Sequence, residues 1–382
     1  MNLPPQVSVA VFLTRFEPGG TERQMTELVR RLDPSRFRVH VACFEKRGAW
    51  LPRVAERAAS IAEFPIRGFA RPATLGALLA FARWCRRERI AVLQTCDLYA
   101  NVFGLPGAAL AGVPVRIGSR RELNPDKSPG QIRLQRLAYR CATTVVANSA
   151  AARHILLEEG LASRSIAVIP NGVDAGAYSD RDTIAASRPA RTVVTVANLR
   201  PEKSHEVLIA AAALLAPDFP EVRFQIVGDG PRRAELEALV RARGLASHVE
   251  FLGHREDVAA LLASADLFAL PSRSEAFPNC AIEAMAAGLP VVASAVGGLL
   301  DLIDHERTGL LVEPGNPEAL ADALRRLLVD RAAAARIGVR AQAHVRQRYS
   351  FDHMVQSFEA LYIAGLTAPS VPAAQRAEAA GI

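Results

Sequence analysis

The stretch "TVVTVANLRPEKSHEVLIAAAALL", Thr192 to Leu215, changes its period halfway along. Thr192–Val196 is a β-branched run with no polar alternation, which is the pattern of a strand covered on both faces. After a short loop the chain turns to Ala, Leu and Ile at helical density. A buried strand followed at once by a helix is one βα unit of a parallel sheet.

The same alternation recurs along the chain. In the first half the apolar runs are "VSVAVFL" from Val7, "FRVHVACF" from Phe37, "IAVLQT" from Ile90, "VPVRIG" from Val113, "TTVVAN" from Thr143 and "IAVIP" from Ile166. In the second half "VRFQIVG" from Val222, "HVEFLG" from His248, "ADLFALP" from Ala265, "LPVVAS" from Leu289 and "TGLLVEP" from Thr308 follow the opening stretch. Two such sets predict an α/β protein of two doubly wound, Rossmann-like domains. A chain of 382 residues also exceeds the size at which one core keeps growing. "DAGAYSDRDTIAASRPAR", Asp174 to Arg191, has no periodicity and is expected to be the linker. The expected domains are therefore 1–185 and 186–365, with 366–382 as a Pro/Ala-rich tail. The amphipathic segment at about 350–365 is expected to pack back on the first domain.

Half of the residues are hydrophobic and 22% are charged, as in a folded globular protein. The apolar run near the N-terminus has no basic residue before it and closes at Arg15, so the expected location is cytoplasmic. Five scattered cysteines, Cys43, Cys85, Cys96, Cys141 and Cys280, include no Cys-x-x-Cys pair and are expected to be small core residues. Residues 1–185 carry a net charge of +10 and the remainder −3. That asymmetry suits either an anionic partner of the first half or an Arg-rich solvated surface. Arg83, Arg86 and Arg87, and Arg133, Arg136 and Arg140, form the densest clusters, and no nucleic-acid motif accompanies them.

Each candidate motif follows a strand. "FEPGGTERQMTEL" places Gly19 and Gly20 before a helix, where they permit either a tight turn or close backbone approach to a ligand. "VGDGPRRAELEAL" sets Gly230 at a strand-to-helix turn whose helix is expected to open at Pro231. Arg200 and Lys203 fall in the loop and first helical turn after "TVVTV", where cations oppose the helix dipole unless an anion such as a diphosphate is bound. In "SRSEAFPNCAIEAMAAGLPVVAS", Ser272 to Ser294, Glu275 precedes and Glu283 lies inside a helix expected to begin near Asn279. A buried carboxylate needs a cation, water or hydroxyl donors, and the vicinal hydroxyls of a ribose or hexose are suitable. "DRD" at Asp180 to Asp182 and the eight histidines lack metal-ligand spacing, so no metal site is expected.

Together and in this order, "PGGTERQMTEL", "VVANSAAARHILLEEGLASRSIAVIPNGVD", "VANLRPEKSHEVLI", "VGDGPRRAELEAL", "EAFPNCAIE" and "AMAAGLPVVASAVGGLLDLIDHERTGLLVEPGNPEALADAL" give a chain that resembles the retaining glycosyltransferases of family 4, which have the GT-B fold. The resemblance implies an enzyme that moves a sugar, with retention and without an obligatory metal or other cofactor, from a nucleotide-diphosphate sugar to a glycan or lipid-linked acceptor. It implies that Glu283 takes the ribose hydroxyls and Glu275 those of the transferred sugar. Lys203 and Arg200 would neutralise the diphosphate, aided by amides at Gly19, Gly20, Gly230 and the Phe277-Pro278-Asn279 turn. Backbone at Phe251 and Leu252 would face the base, with uridine favoured over guanosine. Asn198 stands where many relatives carry Arg, and Asp97 follows "IAVLQT" where many carry His. The alternatives are a GT-B nucleotide-sugar epimerase, a GDP-sugar-dependent transferase and a binding protein without catalysis. A lipid-linked acceptor would bring the basic first domain to the anionic inner face of the plasma membrane.

Overall fold

The computed structural model describes residues 6–69, 71–123, 127–178 and 191–368. The expected boundary near 185, the Asp180–Asp182 acids and the tail beyond 368 lie outside these residues.

Seven strands, β1 (Val7–Leu13), β2 (Phe37–Cys43), β3 (Ser60–Glu63), β4 (Val92–Thr95), β5 (Val115–Arg120), β6 (Thr144–Ala147) and β7 (Ile166–Val168), form one sheet in the order β3-β2-β1-β4-β5-β6-β7. Six more, β8 (Thr192–Val196), β9 (Arg223–Val227), β10 (Val249–Gly253), β11 (Leu267–Leu270), β12 (Val291–Ser294) and β13 (Leu310–Val312), form the second in the order β10-β9-β8-β11-β12-β13. The described pairings between these strands are parallel; β1 and β2, for example, run in register from Val7↔Phe37 to Leu13↔Cys43. The expected α/β class, with two doubly wound sheets, is what the chain forms.

Burial explains why the strands read as mainly apolar runs. Val193, Phe224, Ile226, Leu267 and Ala269 join one core cluster, while Val194, Val227, Phe268 and Leu270 join another. Neighbouring side chains therefore point to opposite faces of the second sheet, and both faces are covered. Each fully buried Val, Leu or Phe contributes about 1.5–3 kcal/mol of transfer free energy. In the first sheet, Phe12 on β1 is the hub, with Phe44, Phe81 and Phe103 at 4.9, 5.3 and 5.7 Å between ring centroids. Such tilted and edge-on contacts add to the burial itself.

The chain divides into two compact units. The first holds the described residues of 1–119, 130–145 and 355–382, and the second those of 120–129 and 146–354. The final helix, Phe351–Thr367, enters the first unit from Val355 onward. There the Tyr362 ring lies 6.1 Å from that of Phe37, and Arg36 Nη1 donates to Glu359 Oε2 at 3.2 Å.

Cys43, Cys85 and Cys96 are buried, and Cys141 and Cys280 are half-buried. Burial pushes the Cys43, Cys85 and Cys280 thiols up to about 12.

Candidate active site

Ligands of open parallel sheets bind beyond the carboxyl ends of the strands, where the strand order reverses. In the second sheet the reversal falls between β8 and β11. The loop after β8 carries Lys203 and the loop after β11 carries Glu275, so the sheet itself brings these two residues face to face.

Lys203 sits in a single 3-10 turn, Pro201–Lys203, rather than in the first turn of the α-helix as the sequence suggested. The reason is Ser204, whose φ of 50° and ψ of 44° place it in the left-handed region and break the helical path before His205. The side chain of Lys203 is thereby aimed out of the turn. Its Nζ donates to Glu275 Oε1 at 2.6 Å, and Ser272 Oγ donates to the same oxygen at 2.7 Å. Burial works against the Lys203 charge, but the Glu275 carboxylate outweighs it and holds the ammonium above its ordinary range. The lysine is therefore a fixed cation at neutral pH.

Glu275 is 6% exposed, and its loop is locked from behind. Its carbonyl accepts the Gly298 amide at 2.9 Å. A Cβ on Gly297, where φ is +50°, would collide with that carbonyl, and one on Gly298 would collide with the Ala276 carbonyl. The Gly297-Gly298 pair is thus what lets the loop after β12 close on the acid loop.

The helix Asn279–Ala286 begins where expected, with Pro278 as N-cap, and carries Glu283 buried at 7% exposure. Phe277 and Asn279 are held by a residue that the sequence reading did not single out. Asn171 Nδ2 donates to the Phe277 carbonyl at 3.0 Å and to Asn279 Oδ1 at 2.8 Å, and Arg121 Nη1 donates to Asn171 Oδ1 at 2.6 Å. Ser272, Gly297 and Gly298 were likewise missed. Their signals were Ser three residues before Glu275 and the double Gly in "SAVGGLLDL".

Asn198 and Arg200 are exposed on the loop after β8, joined by the bond from the Arg200 amide to the Asn198 carbonyl at 2.8 Å. Gly230 packs against this loop, for a Cβ on it would stand 2.6 Å from the Leu199 carbonyl oxygen. Its amide donates to Asp229 Oδ1 at 2.7 Å, and the helix beyond opens at Arg233, two residues later than expected. Phe251 and Leu252 are half-buried at the end of β10, where the register shifts between Phe251 and Gly253. Such a bulge re-aims the backbone at the end of a strand.

The remaining candidates belong to the first unit, at the reversal between β1 and β4. Gly19 caps the helix Gly20–Arg31, and a Cβ there would collide with the Glu22 carboxylate. Glu22 is held above the ordinary carboxylate range by burial and, secondarily, by the charge of Asp97. Asp97 itself is the N-cap of the helix Leu98–Ala111: Oδ1 accepts the Ala100 amide at 2.8 Å, and Oδ2 accepts Thr14 Oγ1 at 2.6 Å. Both oxygens of Asp97, which stands where many relatives carry His, are thus occupied, one in capping its own helix and the other by Thr14. Among the described residues no group of three or more His, Cys, Asp or Glu is placed to hold a metal ion.

Two doubly wound sheets, the second with a lysine-carboxylate pair at its switch point, define the architecture of GT-B glycosyltransferases. The chain belongs to the family 4 glycosyltransferases: the glycosyl transferases group 1 family matches residues 180–344, and glycosyltransferase family 4 matches residues 18–176. An exopolysaccharide phosphotransferase of Streptomyces coelicolor is 37% identical over 210 residues, 54% of this chain and 22% of that protein. The N-acetyl-alpha-D-glucosaminyl L-malate synthase of Bacillus anthracis is 30% identical over 206 residues, 52% of this chain and 54% of that protein. The matches to these two relatives span about half of this chain, about half of the second relative and less of the first. Among solved structures, Anabaena Alr3699/HepE in complex with UDP and glucose superposes with a TM-score of 0.82 at 25% identity, covering 94% of this chain and all of that one. No described helix is long and apolar enough to cross a membrane.

Proposed function

We propose that the protein transfers a sugar, with retention, from a nucleotide-diphosphate sugar to a glycan or lipid-linked acceptor, and that UDP is the nucleotide. The observation that carries this reading is the Lys203–Glu275 contact at the switch point of the second sheet. In it a permanent cation meets a buried carboxylate whose Oε1 also accepts Ser272 Oγ. A departing diphosphate needs fixed positive charge at the moment the glycosidic bond breaks, and a preorganised lysine supplies it without reorganisation. Glu275, already oriented, accepts hydroxyls of the transferred sugar, and Glu283, deeper on its helix, accepts those of the ribose. Arg200 adds to the phosphate cradle, and the amide of Gly230 would join it only on release from Asp229 Oδ1. The occupied oxygens of Asp97 favour a mechanism in which the leaving phosphate, not Asp97, takes the acceptor proton. UDP is favoured because the Anabaena protein was solved with UDP and glucose.

The test is a thermal-shift panel of nucleotide sugars on the purified chain. A donor present at about 100 times its dissociation constant stabilises the fold by about 2.7 kcal/mol. A UDP-sugar is expected to give that shift and GDP-sugars are not; the reverse pattern favours the GDP-dependent alternative. Turnover is expected to require an acceptor and to persist in chelator. Conversion of donor to an epimer without acceptor favours the epimerase.

A further inference from the structure

A cavity of about 720 Å³ opens between the helix Arg331–Arg348 and the turn that follows β12. None of Lys203, Glu275 and Glu283 lines it. Arg340, His344 and Arg348 do, and their spacing of four residues puts them on one face of the helix. The helical rise sets the outer pair about 12 Å apart. Across from them, Arg307 and His305 line the cavity from the turn.

The charges there do not cancel. Asp304 Oδ2 already accepts from Arg307 Nη1 at 3.2 Å, and Asp301 Oδ2 accepts the Ala150 amide at 2.6 Å. Arg340 and Arg348 make no hydrogen bond or salt bridge with another described residue. His305 Nδ1 accepts the Leu311 amide at 3.0 Å, so the neutral ring carries its proton on Nε2, a further donor. His344 is held below the ordinary imidazole range by burial, then by Arg348, with Asp304 opposing and Arg307 adding to the lowering. Three guanidiniums, Arg307, Arg340 and Arg348, against the carboxylates of Asp301 and Asp304 leave the concave lining net positive, which suits a tetrahedral oxyanion with several acceptor oxygens. The volume accommodates a small organic molecule rather than a lone ion.

We propose that the cavity formed by Arg340, His344 and Arg348 with the Arg307 turn is a second anion site, which binds a phosphate-bearing molecule of sugar-phosphate size. Its wall also touches the donor loop: His344 lies 5.5 Å from the Tyr349 ring, which lies 5.4 Å from that of Phe277. An occupant is thus two rings away from the turn between Glu275 and Glu283.

The test is calorimetric titration of glucose 6-phosphate into the full chain and into two variants, K203A and R340S/R348S. Both arginines are exposed, and an unchanged unfolding temperature verifies the fold of the double variant. Saturable binding is expected in the wild type and in K203A, and affinity at least about tenfold weaker in R340S/R348S, from the loss of charge-assisted hydrogen bonds. Co-sedimentation with phosphatidic acid vesicles separates the sources: vesicle binding lost in R340S/R348S assigns the phosphate to a lipid headgroup, and sugar-phosphate binding lost there assigns it to a soluble ligand. The proposal is overturned if neither probe binds the wild type, if R340S/R348S retains wild-type affinity for both, or if K203A alone loses binding.

Discussion

Lys203 Nζ and Glu275 Oε1 lie 2.6 Å apart although 72 residues separate them in the chain, and the second sheet alone accounts for the meeting. Removing either partner has different consequences. Lys203→Ala leaves Glu275 buried with only Ser272 Oγ on that oxygen, and loss of one charge-assisted bond costs about 1.5–3 kcal/mol. Transfer is expected to fall by orders of magnitude while the circular dichroism spectrum is retained. Glu275→Ala is expected to spare the dissociation constant of bare UDP and to depress turnover. Glu283→Ala is expected to weaken UDP itself by about 1.5–3 kcal/mol. Equal nucleotide losses in the two glutamate variants refute this division of roles.

His205 gives the acid limb of the stability curve a specific origin. It is 1% exposed at the start of its helix, and burial, which outweighs the nearby Glu206 charge, brings its pKa down to about 4 while Lys203 and Arg232 push the same way. The unfolded chain therefore takes up this proton first as pH falls. The contribution of His205 is fully present above about pH 6.5 and is lost progressively down to about pH 4, amounting to about 3 kcal/mol. Urea midpoints between those limits are expected to fall in the wild type, and His205→Leu to flatten that part of the profile. Parallel profiles for the two proteins refute the assignment.

The parts of the molecule that sequence made legible are those with a strong local signature. All twelve apolar runs became strands, because each carries several Val, Ile, Leu or Phe side chains in short succession even where a residue such as Arg38, Arg116, Gln225 or Glu250 interrupts it. β3, "SIAE" from Ser60, was missed: it has four residues, none fully buried, and lacks the continuous run. The acid pair and Lys203 were legible because charge in an apolar setting demands an explanation. Asn171, Arg121 and Ser272 were not, since their roles come from bonds that the fold closes across loops distant in sequence.

Gly297 offers a test of the closure behind Glu275. An added Cβ meets the Glu275 carbonyl and must also adopt φ +50°, whereas at Gly315, with φ +76°, nothing lies within 4 Å. Gly315→Ala therefore carries only the left-handed penalty, about 1–2 kcal/mol. Gly297→Ala is expected to destabilise by more than that and to reduce turnover as well, because the acid loop must move. The comparison is made by chemical denaturation and initial rates. Equal stability losses, with activity intact in both, refute the closure.

The basic faces of the first unit bear on how a lipid-linked acceptor would be reached. On the helix Pro129–Tyr139, Arg133 and Arg136 are exposed beside Leu134 and Leu137, which are 38% and 58% exposed, and Arg140 follows at its end. Arg83, Arg86 and Arg87 are exposed on the helix Pro72–Arg87, which also shows Leu75 at 61%. Exposed leucines among arginines fit an anionic surface into which apolar side chains dip without spanning it. Each basic residue near such a surface gains about 1 kcal/mol, and the gain decays within a Debye length of about 10 Å at 0.1 M salt. Sedimentation with phosphatidylserine vesicles is expected to be clear at low salt and largely lost at high salt. Replacing Arg133, Arg136 and Arg140 by Ser is expected to reduce it at low salt without altering UDP affinity. A wild-type protein that stays in the supernatant at low salt makes these helices solvated faces, and a soluble acceptor then becomes the better substrate to test.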